Sequence, residues 1–335
     1  MRSSDAANRP RWRGDAGFFE IWFLVVFDPA SARAWWLRYT TFAPVTGPAR
    51  TTVWAAAFRA GEPPVVSKRI HPIDAYRAEP ADRFGVRIGS AELANGVCRG
   101  AVDRLAWDLR FTPAPAETPR EPALLRVLPL PTHVAHANGE IACDGWVEMD
   151  GARHEIREAP AVQKHIWGTR RVEELFWLYG GRFEEDGRAR LEATAVRASR
   201  RLPGPPLTTL WLRTSDAVVD ACGLANLPWN RVAAAGPHRL AFAGGSVTRR
   251  VRADASCDPE SLAGYVYRDP RGWDVHVAQS DVASCTIEIE TRPHPFAAWR
   301  LARRLTCVHA AAVEFHAPEP LPGVRYVAWD GTSVG

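Results

Sequence analysis

The stretch of sequence that decides the fold is residues 18–42, which read FFEIWFLVVFDPASARAWWLRYTTF. Two runs rich in aromatic and β-branched side chains flank Asp28-Pro29-Ala30-Ser31, a group of residues typical of turns. This pattern predicts a β-hairpin. The first run contains Glu20 and has the length of a strand, not of a membrane span.

Strand signals of the same kind recur to the end of the chain. Leu105, Trp107 and Leu109 alternate with more polar residues, which is the period of two expected of a sheet with one face against a core. Asp-Gly steps at 150–151 and 186–187 lie between extended runs, and both predict tight hairpin turns because these residues accept positive φ angles.

A helix is predicted at only one place, residues 295–306, where a proline precedes apolar residues interspersed with arginines. Many short strands punctuated by Gly and Pro are typical of a sandwich or a barrel, and a barrel removes exposed sheet edges. We therefore expect an all-β fold of two tandem antiparallel barrels, with at most one or two short helices.

Two proline-rich segments interrupt the strand pattern, and we interpret residues 112–122 as a long loop within a domain. The segment 202–206, Leu-Pro-Gly-Pro-Pro, is the better domain boundary. The polar, arginine-bearing residues 1–14 are predicted to be a disordered arm. The expected domains are an N-terminal barrel over 15–201 and a C-terminal barrel over 207–335.

Composition excludes several classes of function. The chain has 335 residues, of which 46% are hydrophobic, and its 42 basic and 38 acidic residues give a net charge of +4. The basic residues are scattered, so no nucleic-acid partner is indicated. The six cysteines are widely spaced, which predicts free thiols and no zinc ribbon. No phosphate-binding loop or membrane span is recognisable, so we expect no cofactor, no integral membrane association and a cytoplasmic location.

Three segments carry a resemblance to known proteins. They are residues 19–23 with 28–29 and 36–40, then His165-Ile166-Trp167-Gly168 with the aromatic run 176–179, and Tyr267-Arg268-Asp269-Pro270-Arg271-Gly272. Together they resemble the two-barrel calycin group that includes the AttH-like, carotenoid 1,2-hydratase and tocopherol cyclase-like proteins. Gln163 and Lys164 stand where that group often has an additional His or Asp.

The resemblance implies two lipocalin-like barrels with an apolar cavity in or between them. It also implies an isoprenoid or other lipid-like ligand. Some members of the group are cofactor-free enzymes that hydrate or cyclise polyenes by protonating a double bond, whereas others only bind lipids. A hydrophobic small molecule is therefore the expected partner.

Glu20 is the first candidate proton donor, because Phe18 and Trp22 two residues away on the same strand are large aromatics. A carboxylate on such a face is costly to bury alone. It requires either a partner, for which Arg38 on the returning strand is suitably placed, or a raised pKa that would suit an acid catalyst. Simple exposure to solvent is the third alternative.

His165 is the second candidate proton donor and shares a strand face with Trp167. The alternatives are a structural imidazole bonded to the backbone, or a residue that lines the ligand cavity. A metal site is not expected, because His133 and His136 lie in a loop-like stretch without neighbouring carboxylates.

Aromatic residues supply the candidate ligand-binding set. Trp177 and Tyr179 share one strand face, where they form either core packing or a cavity wall able to stabilise a carbocation. The full set predicted to bind ligand is Trp22, Trp36, Arg38, Tyr39, Trp167, Trp177 and Tyr179. The leading hypothesis is binding of an isoprenoid, polyene or acyl lipid. The alternatives are a cofactor-free hydratase, cyclase or isomerase, and a scaffold whose barrels are filled by side chains.

Overall fold

The computed structural model describes residues 2–80, 83–201 and 203–330, and most of them lie in two antiparallel sheets. The strands of the first sheet are β1 (Phe18–Asp28), β2 (Arg33–Ala43), β3 (Arg50–Arg59), β4 (Glu62–Pro72), β5 (Tyr76–Ala78), β6 (Gly85–Ile88), β7 (Ala91–Ala94), β8 (Val97–Val102), β9 (Leu105–Phe111), β10 (Thr132–Met149) and β11 (Ala152–Gly168). Those of the second are β12 (Glu174–Gly180), β13 (Arg190–Arg197), β14 (Leu207–Arg213), β15 (Val218–Ala221), β16 (Arg231–Gly236), β17 (Arg239–Gly245), β18 (Arg249–Ser256), β19 (Ala263–Arg268), β20 (Asp274–Thr291), β21 (Arg300–Ala317) and β22 (Tyr326–Trp329).

The helical elements are short. One α-helix, α1 (Ser4–Asn8), precedes the first sheet, and 3₁₀ turns occupy Pro29–Ser31, Ile73–Ala75, Ala123–Arg126, Leu224–Trp229 and Pro259–Ser261. Among the described residues, none of the helices is long and apolar enough to cross a membrane. The predicted all-β class with short helices is confirmed.

The two sheets share one plan. In the first, β1 pairs with the last strand, β11, and the other strands follow as successive hairpins out to β4 on one side and β5 on the other. In the second, β12 pairs with β21, and the sheet runs out to β15 and β16, while β19 and β22 pair beside β20. In each sheet a 3₁₀ turn joins the two outermost strands, so each sheet curls around its own core. The tandem barrels expected from the sequence are confirmed.

Both faces of β1 are buried, which places the first barrel against the second. Trp22, Leu24 and Val26 point into the first barrel. Phe23 and Phe27, on the opposite face, pack against Trp177 and Tyr179 of β12, with ring centroids 5.8 Å apart in both pairs. The outer face of the first barrel and the facing surface of the second sheet therefore form one continuous apolar core.

The boundary between the barrels differs from the one predicted. β11 ends at Gly168 and β12, the first strand of the second sheet, begins at Glu174, so the predicted boundary at 202–206 falls between β13 and β14 of the second barrel. Leu202 lies outside the described residues, and 203–206 lie in a loop between the paired strands β13 and β14. The true junction, 169–173, contains no proline or glycine.

The N-terminal residues are ordered, contrary to the predicted disordered arm. α1 is capped by the Ser3 hydroxyl, which accepts a hydrogen bond from the Ala6 N–H, and Ala7 and Asn8 are completely buried. Arg2 forms an ion pair with Glu117 at 2.9 Å. Part of this polar segment thus bonds to buried groups of the first barrel, whereas Arg2, Ser3, Arg13 and Gly14 remain exposed.

Two local predictions are wrong and one is confirmed. The predicted helix at 295–306 is replaced by the start of β21, which pairs with β20, and Phe296 is 95% exposed. The turn at Asp150-Gly151 has the expected positive φ angles of 52° and 80°. Asp186-Gly187 lies instead in a wider loop, where Asp186 accepts hydrogen bonds from the backbone and hydroxyl of Ser215 and pairs with Arg303.

Candidate functional site

Glu20 and His165 form a buried pair inside the first barrel. Both side chains are inaccessible to solvent, and the imidazole Nε2 lies 2.8 Å from Glu20 Oε1. His165 Nδ1 donates to the carbonyl of Ala7 at 2.9 Å, and the backbone N–H groups of Arg11 and Trp12 donate to the two Glu20 oxygens at 2.5 and 3.0 Å. The N-terminal segment thus supplies the partners that this buried pair requires.

Trp22 and Tyr39 also lie inside the first barrel. Trp22 stacks on the His165 ring at 4.7 Å and donates from its indole nitrogen to the carbonyl of Asn8. The Tyr39 hydroxyl donates to the carbonyl of Glu92 at 2.9 Å and accepts from the indole of Trp107. Both side chains are completely buried and hydrogen-bonded within the barrel.

Arg38 does not pair with Glu20, so the ion-pair alternative is wrong. Because Arg38 lies opposite Phe23 in the β1–β2 register, its side chain points away from the first barrel and towards the second. There the guanidinium carbon lies 4.2 Å from the ring centre of Tyr267 and 5.1 Å from that of Trp54, with Trp36 at 5.7 Å. Cation–π contacts thus hold this buried charge.

A pocket of about 490 Å³ lies between the barrels. One wall is the outer face of the first barrel, with Phe23 and Ile166, and the other is the second sheet, with Leu175 and Trp177. Its solvent-facing lining comes mainly from two proline-containing loops, and the exposed lining residues are Arg2, Arg126, Pro131, Ala198, Pro203, Gly204 and Pro205. Its size and mainly apolar lining are those of a site for a small organic molecule.

The inner end of this pocket holds a network of charges around Glu192. Lys164 Nζ bonds to Glu192 Oε1, which also accepts the indole N–H of Trp177 at 3.0 Å. His136 Nδ1 lies 3.4 Å from the other oxygen of Glu192, and His136 Nε2 lies 3.4 Å from Glu121. Lys164 in turn lies 4.4 Å above the Trp177 ring.

The charges of this network shift one another's titration. Burial by itself lowers the pKa of His136, but the attraction of Glu192 and Glu121 outweighs burial, so the pKa is raised above its ordinary value. Burial would raise the pKa of Glu192, yet Lys164, His136 and Arg120 hold it well below its usual range. Two carboxylate neighbours thus raise the pKa of His136 at the side of an apolar pocket.

A second pair of polar groups lies elsewhere in the pocket wall. His316 Nε2 is 2.6 Å from Glu314 Oε1, and both residues are on β21 beside Trp177 of β12. Burial would raise the pKa of Glu314, but His316, with Arg38 and Lys164, lowers it. The pocket is therefore apolar along its walls and charged at two places.

The structure brings only part of the predicted set to this pocket. Trp167 and Trp177 line it, whereas Trp36 and Arg38 lie elsewhere in the barrel interface and Trp22 and Tyr39 in the first barrel. Tyr179 shares a face with Trp177 and donates to the carbonyl of Gly139. His165 is not among the lining residues, and its ring centre lies 4.5 Å from that of Trp167, which is.

Sequence reasoning missed His136, Glu121 and Glu192. His136 was assigned to a loop without nearby carboxylates, but it lies on β10 between two of them. Lys164 carried a signal that could have been used, since it is one of two lysines in the chain and sits in an apolar strand. Within the described ranges, no group of three or more His, Cys, Asp and Glu side chains is arranged to hold a metal ion.

Comparison with known proteins places the chain beside a mycobacterial protein. It is 31% identical over 248 residues to the uncharacterized protein of Mycobacterium tuberculosis designated Rv0493c in strain H37Rv and MT0513 in strain CDC 1551, covering 64% of this chain and 69% of that protein. The chain belongs to the family of Rv0493c. No protein-family model matches it.

Solved structures show which fold this member of the Rv0493c family has. A protein assigned as AttH from Nitrosomonas europaea superposes with a TM-score of 0.55 at 9% identity, over 90% of this chain and 92% of that one. Kievitone hydratase from Nectria haematococca superposes with a TM-score of 0.54 at 7% identity, over 93% of this chain and 91% of that one. CghA, solved with Sch210972, superposes with a TM-score of 0.54 at 10% identity, over 94% of this chain and 96% of that one. The predicted AttH-like two-barrel fold is thereby confirmed.

Proposed function

We propose that the chain binds a hydrophobic small molecule, of the isoprenoid, polyene or acyl-lipid class, in the pocket between its two barrels. The observation that carries the proposal is the pocket itself, about 490 Å³ in volume, with apolar walls from both barrels and charged groups at defined places. Such a combination fixes the orientation of a ligand whose affinity comes from apolar burial. CghA, a protein of the same fold, was solved with Sch210972, which supports this use of the fold.

Filling the pocket tests the proposal. Leu207 lines the pocket, and Leu207→Trp is expected to occupy space that a ligand needs. The measurement is binding of an uncharged apolar fluorophore, Nile red, together with mass spectrometry of molecules extracted from the purified protein. We expect binding and co-purified molecules to fall by about tenfold or more, which corresponds to about 1.4 kcal/mol.

The matched control is Leu301→Trp, since Leu301 lies on β21, is 56% exposed and is not part of the pocket. It should bind as the unmodified protein does. Equal binding by both variants and the unmodified protein would show that the ligand, if any, lies elsewhere.

A second candidate function is acid-catalysed hydration, cyclisation or isomerisation of the bound molecule. The observation that favours it is His136, which lines the pocket with its pKa raised. A general acid needs a pKa near the working pH and a position beside the reacting atom. The Glu20–His165 pair is the other proposed donor, although Trp167 stands between it and the pocket.

Deuterium incorporation distinguishes binding from catalysis. The molecule recovered from the protein is incubated with fresh protein in D₂O, and new carbon-bound deuterium is sought by mass spectrometry. If His136 is the donor, His136→Gln abolishes incorporation and retains binding, whereas His165→Gln leaves incorporation unchanged. The reverse result would assign the proton to His165, and no incorporation in the unmodified protein would leave binding as the function.

A further inference from the structure

The pocket has an excess of basic side chains. The basic residues that line it are Arg2, Arg120, Arg126, Arg197 and Lys164, and the acidic ones are Glu121 and Glu314. A cleft of one charge sign with low-dielectric walls concentrates ligands of the opposite sign. Arg2, Lys164 and Arg197 are paired with Glu117, Glu192 and Glu174, so the excess favours an anion only where a cation keeps an unpaired donor.

Arg120 points to where such an anion would bind. Its side chain is 3% exposed and its guanidinium carbon lies 3.3 Å from the ring centre of Trp211. Nη2 donates to Glu140 at 3.2 Å, but Nη1 is buried and, within the described part of the chain, has no hydrogen-bond partner. A buried donor left unpaired is costly, so it marks a position that a ligand oxygen would complete.

The carboxylates around Arg120 leave its Nη1 donor without an acceptor among the described residues. Glu140 is shared with Arg213, so its charge is already matched. Arg120, Lys164 and His136 lie beside the carboxylates of Glu192, Glu121 and Glu140, and Glu314 also acts on Lys164. His136 Nδ1 is a second buried nitrogen without a hydrogen bond of normal geometry. One anionic oxygen group beside Arg120 would accept a hydrogen bond from its unpaired Nη1.

We infer that the ligand is an amphiphile with a single anionic oxygen group of the carboxylate kind, which binds beside Arg120 and His136. Its apolar part lies against Phe23, Ile166 and Leu175. A planar guanidinium recognises a carboxylate through charge-assisted hydrogen bonds. This inference rests on the proposed binding function and adds the class of ligand.

The test compares one hydrocarbon chain with three head groups: dodecanoate, dodecanol and methyl dodecanoate. Each displaces Nile red from the full-length protein, so the probe reports the pocket and the competitors report the head group. We expect dodecanoate to bind about tenfold more tightly than either neutral compound, as a charge-assisted hydrogen bond predicts. Added NaCl should weaken the binding of dodecanoate more than that of dodecanol.

Arg120→Gln is expected to remove the preference for the anion. It should lower the affinity for dodecanoate about tenfold and change the affinity for dodecanol less than about twofold. Arg239→Gln is the control, because Arg239 is exposed on β17, where it pairs with Asp254. If Arg120→Gln unfolds, Arg120→Lys, which keeps the charge but not the planar donor, takes its place. Equal affinity for all three compounds overturns the anionic ligand and leaves the pocket intact, whereas failure of Nile red itself to bind overturns the proposed function.

Discussion

Glu20 and Asp281 are both buried carboxyl groups, but hydrogen bonds offset the cost of removing them from water to different extents. Glu20 is surrounded by donors: two backbone N–H groups and the His165 imidazole. Asp281 on β20 receives hydrogen bonds only from the amide of Gln279, at 3.0 and 3.2 Å, among the contacts the structure describes. Burial therefore raises the pKa of Asp281 to about 8, and the nearby charge of Glu314 adds to the shift.

Asp281 should make the protein less stable as pH rises. Its raised pKa means that the folded state holds the proton more tightly than the unfolded chain. The contribution of the protonated carboxyl to the free energy of unfolding is therefore full below about pH 4 and is lost as the pH approaches 8. In Asp281→Asn this loss is absent. The unmodified protein should lose about 1.4 kcal/mol per pH unit relative to the variant between pH 5 and pH 7.

Urea unfolding of both proteins at pH 5 and at pH 7 measures this difference. The control is Asp254→Asn, because Asp254 is 48% exposed on β18 and pairs with Arg239. Parallel pH dependences for the unmodified protein and Asp281→Asn would contradict the raised pKa.

Among the elements, the N-terminal segment supplies hydrogen-bond partners to buried polar side chains, a role that its sequence does not indicate. The amide of Asn8 bonds to Gln163, which in turn bonds to Asn138, and the carbonyl of Ala7 accepts from His165. The segment thus closes a chain of polar side chains in the first barrel. Without the segment, His165 Nδ1 would lose its acceptor and Gln163 would lose its two hydrogen bonds to Asn8.

Replacing residues 3–8 by glycine and serine, with the length kept, is expected to destabilise the first barrel. Each buried polar group that loses its partner costs about 1–3 kcal/mol, so the melting temperature should fall by several degrees. The measurement is thermal unfolding followed by tryptophan fluorescence. An unchanged melting temperature would show that the docked segment contributes nothing to stability.

The two proline-rich loops contribute residues to the lining of the candidate pocket. Residues 112–122 and 202–206 contain several prolines, which lack the N–H that a strand ladder requires, and they interrupt the strand pattern. The loop that contains the first range continues to Leu130 and Pro131 in the pocket lining, and Pro203 and Pro205 lie in the lining as well. Breaks in secondary structure thus surround the candidate site.

At the scale of the molecule, the two barrels are joined by a core and not by a linker. Trp36 of the first barrel stacks on Tyr265 of the second at 5.4 Å, and Trp54 meets the same ring edge-on at 5.7 Å. Arg38 is held in this cluster by Tyr267. An interface so apolar makes independent movement or folding of the barrels unfavourable.

We expect the two barrels to unfold in one transition. Tyr265→Ala removes a fully buried ring from the interface and should destabilise the protein by about 3–5 kcal/mol. Near-ultraviolet circular dichroism and intrinsic fluorescence should shift together to lower temperature. Two separate transitions, of which only one moves, would show that the barrels are stable independently.

The sequence by itself determined the local structure. The hairpin of β1 and β2 and the turn at Asp150-Gly151 follow from side-chain shape and backbone preference within a few residues. It also indicated the AttH-like fold and singled out Glu20 and His165, which the structure places side by side among aromatic residues. It failed at 295–306, because pairing with β20 overrides a weak helical pattern.

Only the tertiary structure decided which residues meet in the pocket. Both faces of β1 are apolar, so alternation could not tell that Trp22 faces the first barrel and Phe23 the second. His136 and Glu192 are separated by more than fifty residues and become neighbours only because one barrel packs on the other. Strand propensity acts over a few residues, whereas burial of a charge depends on which sheets come together, and that is set by the packing of the whole chain.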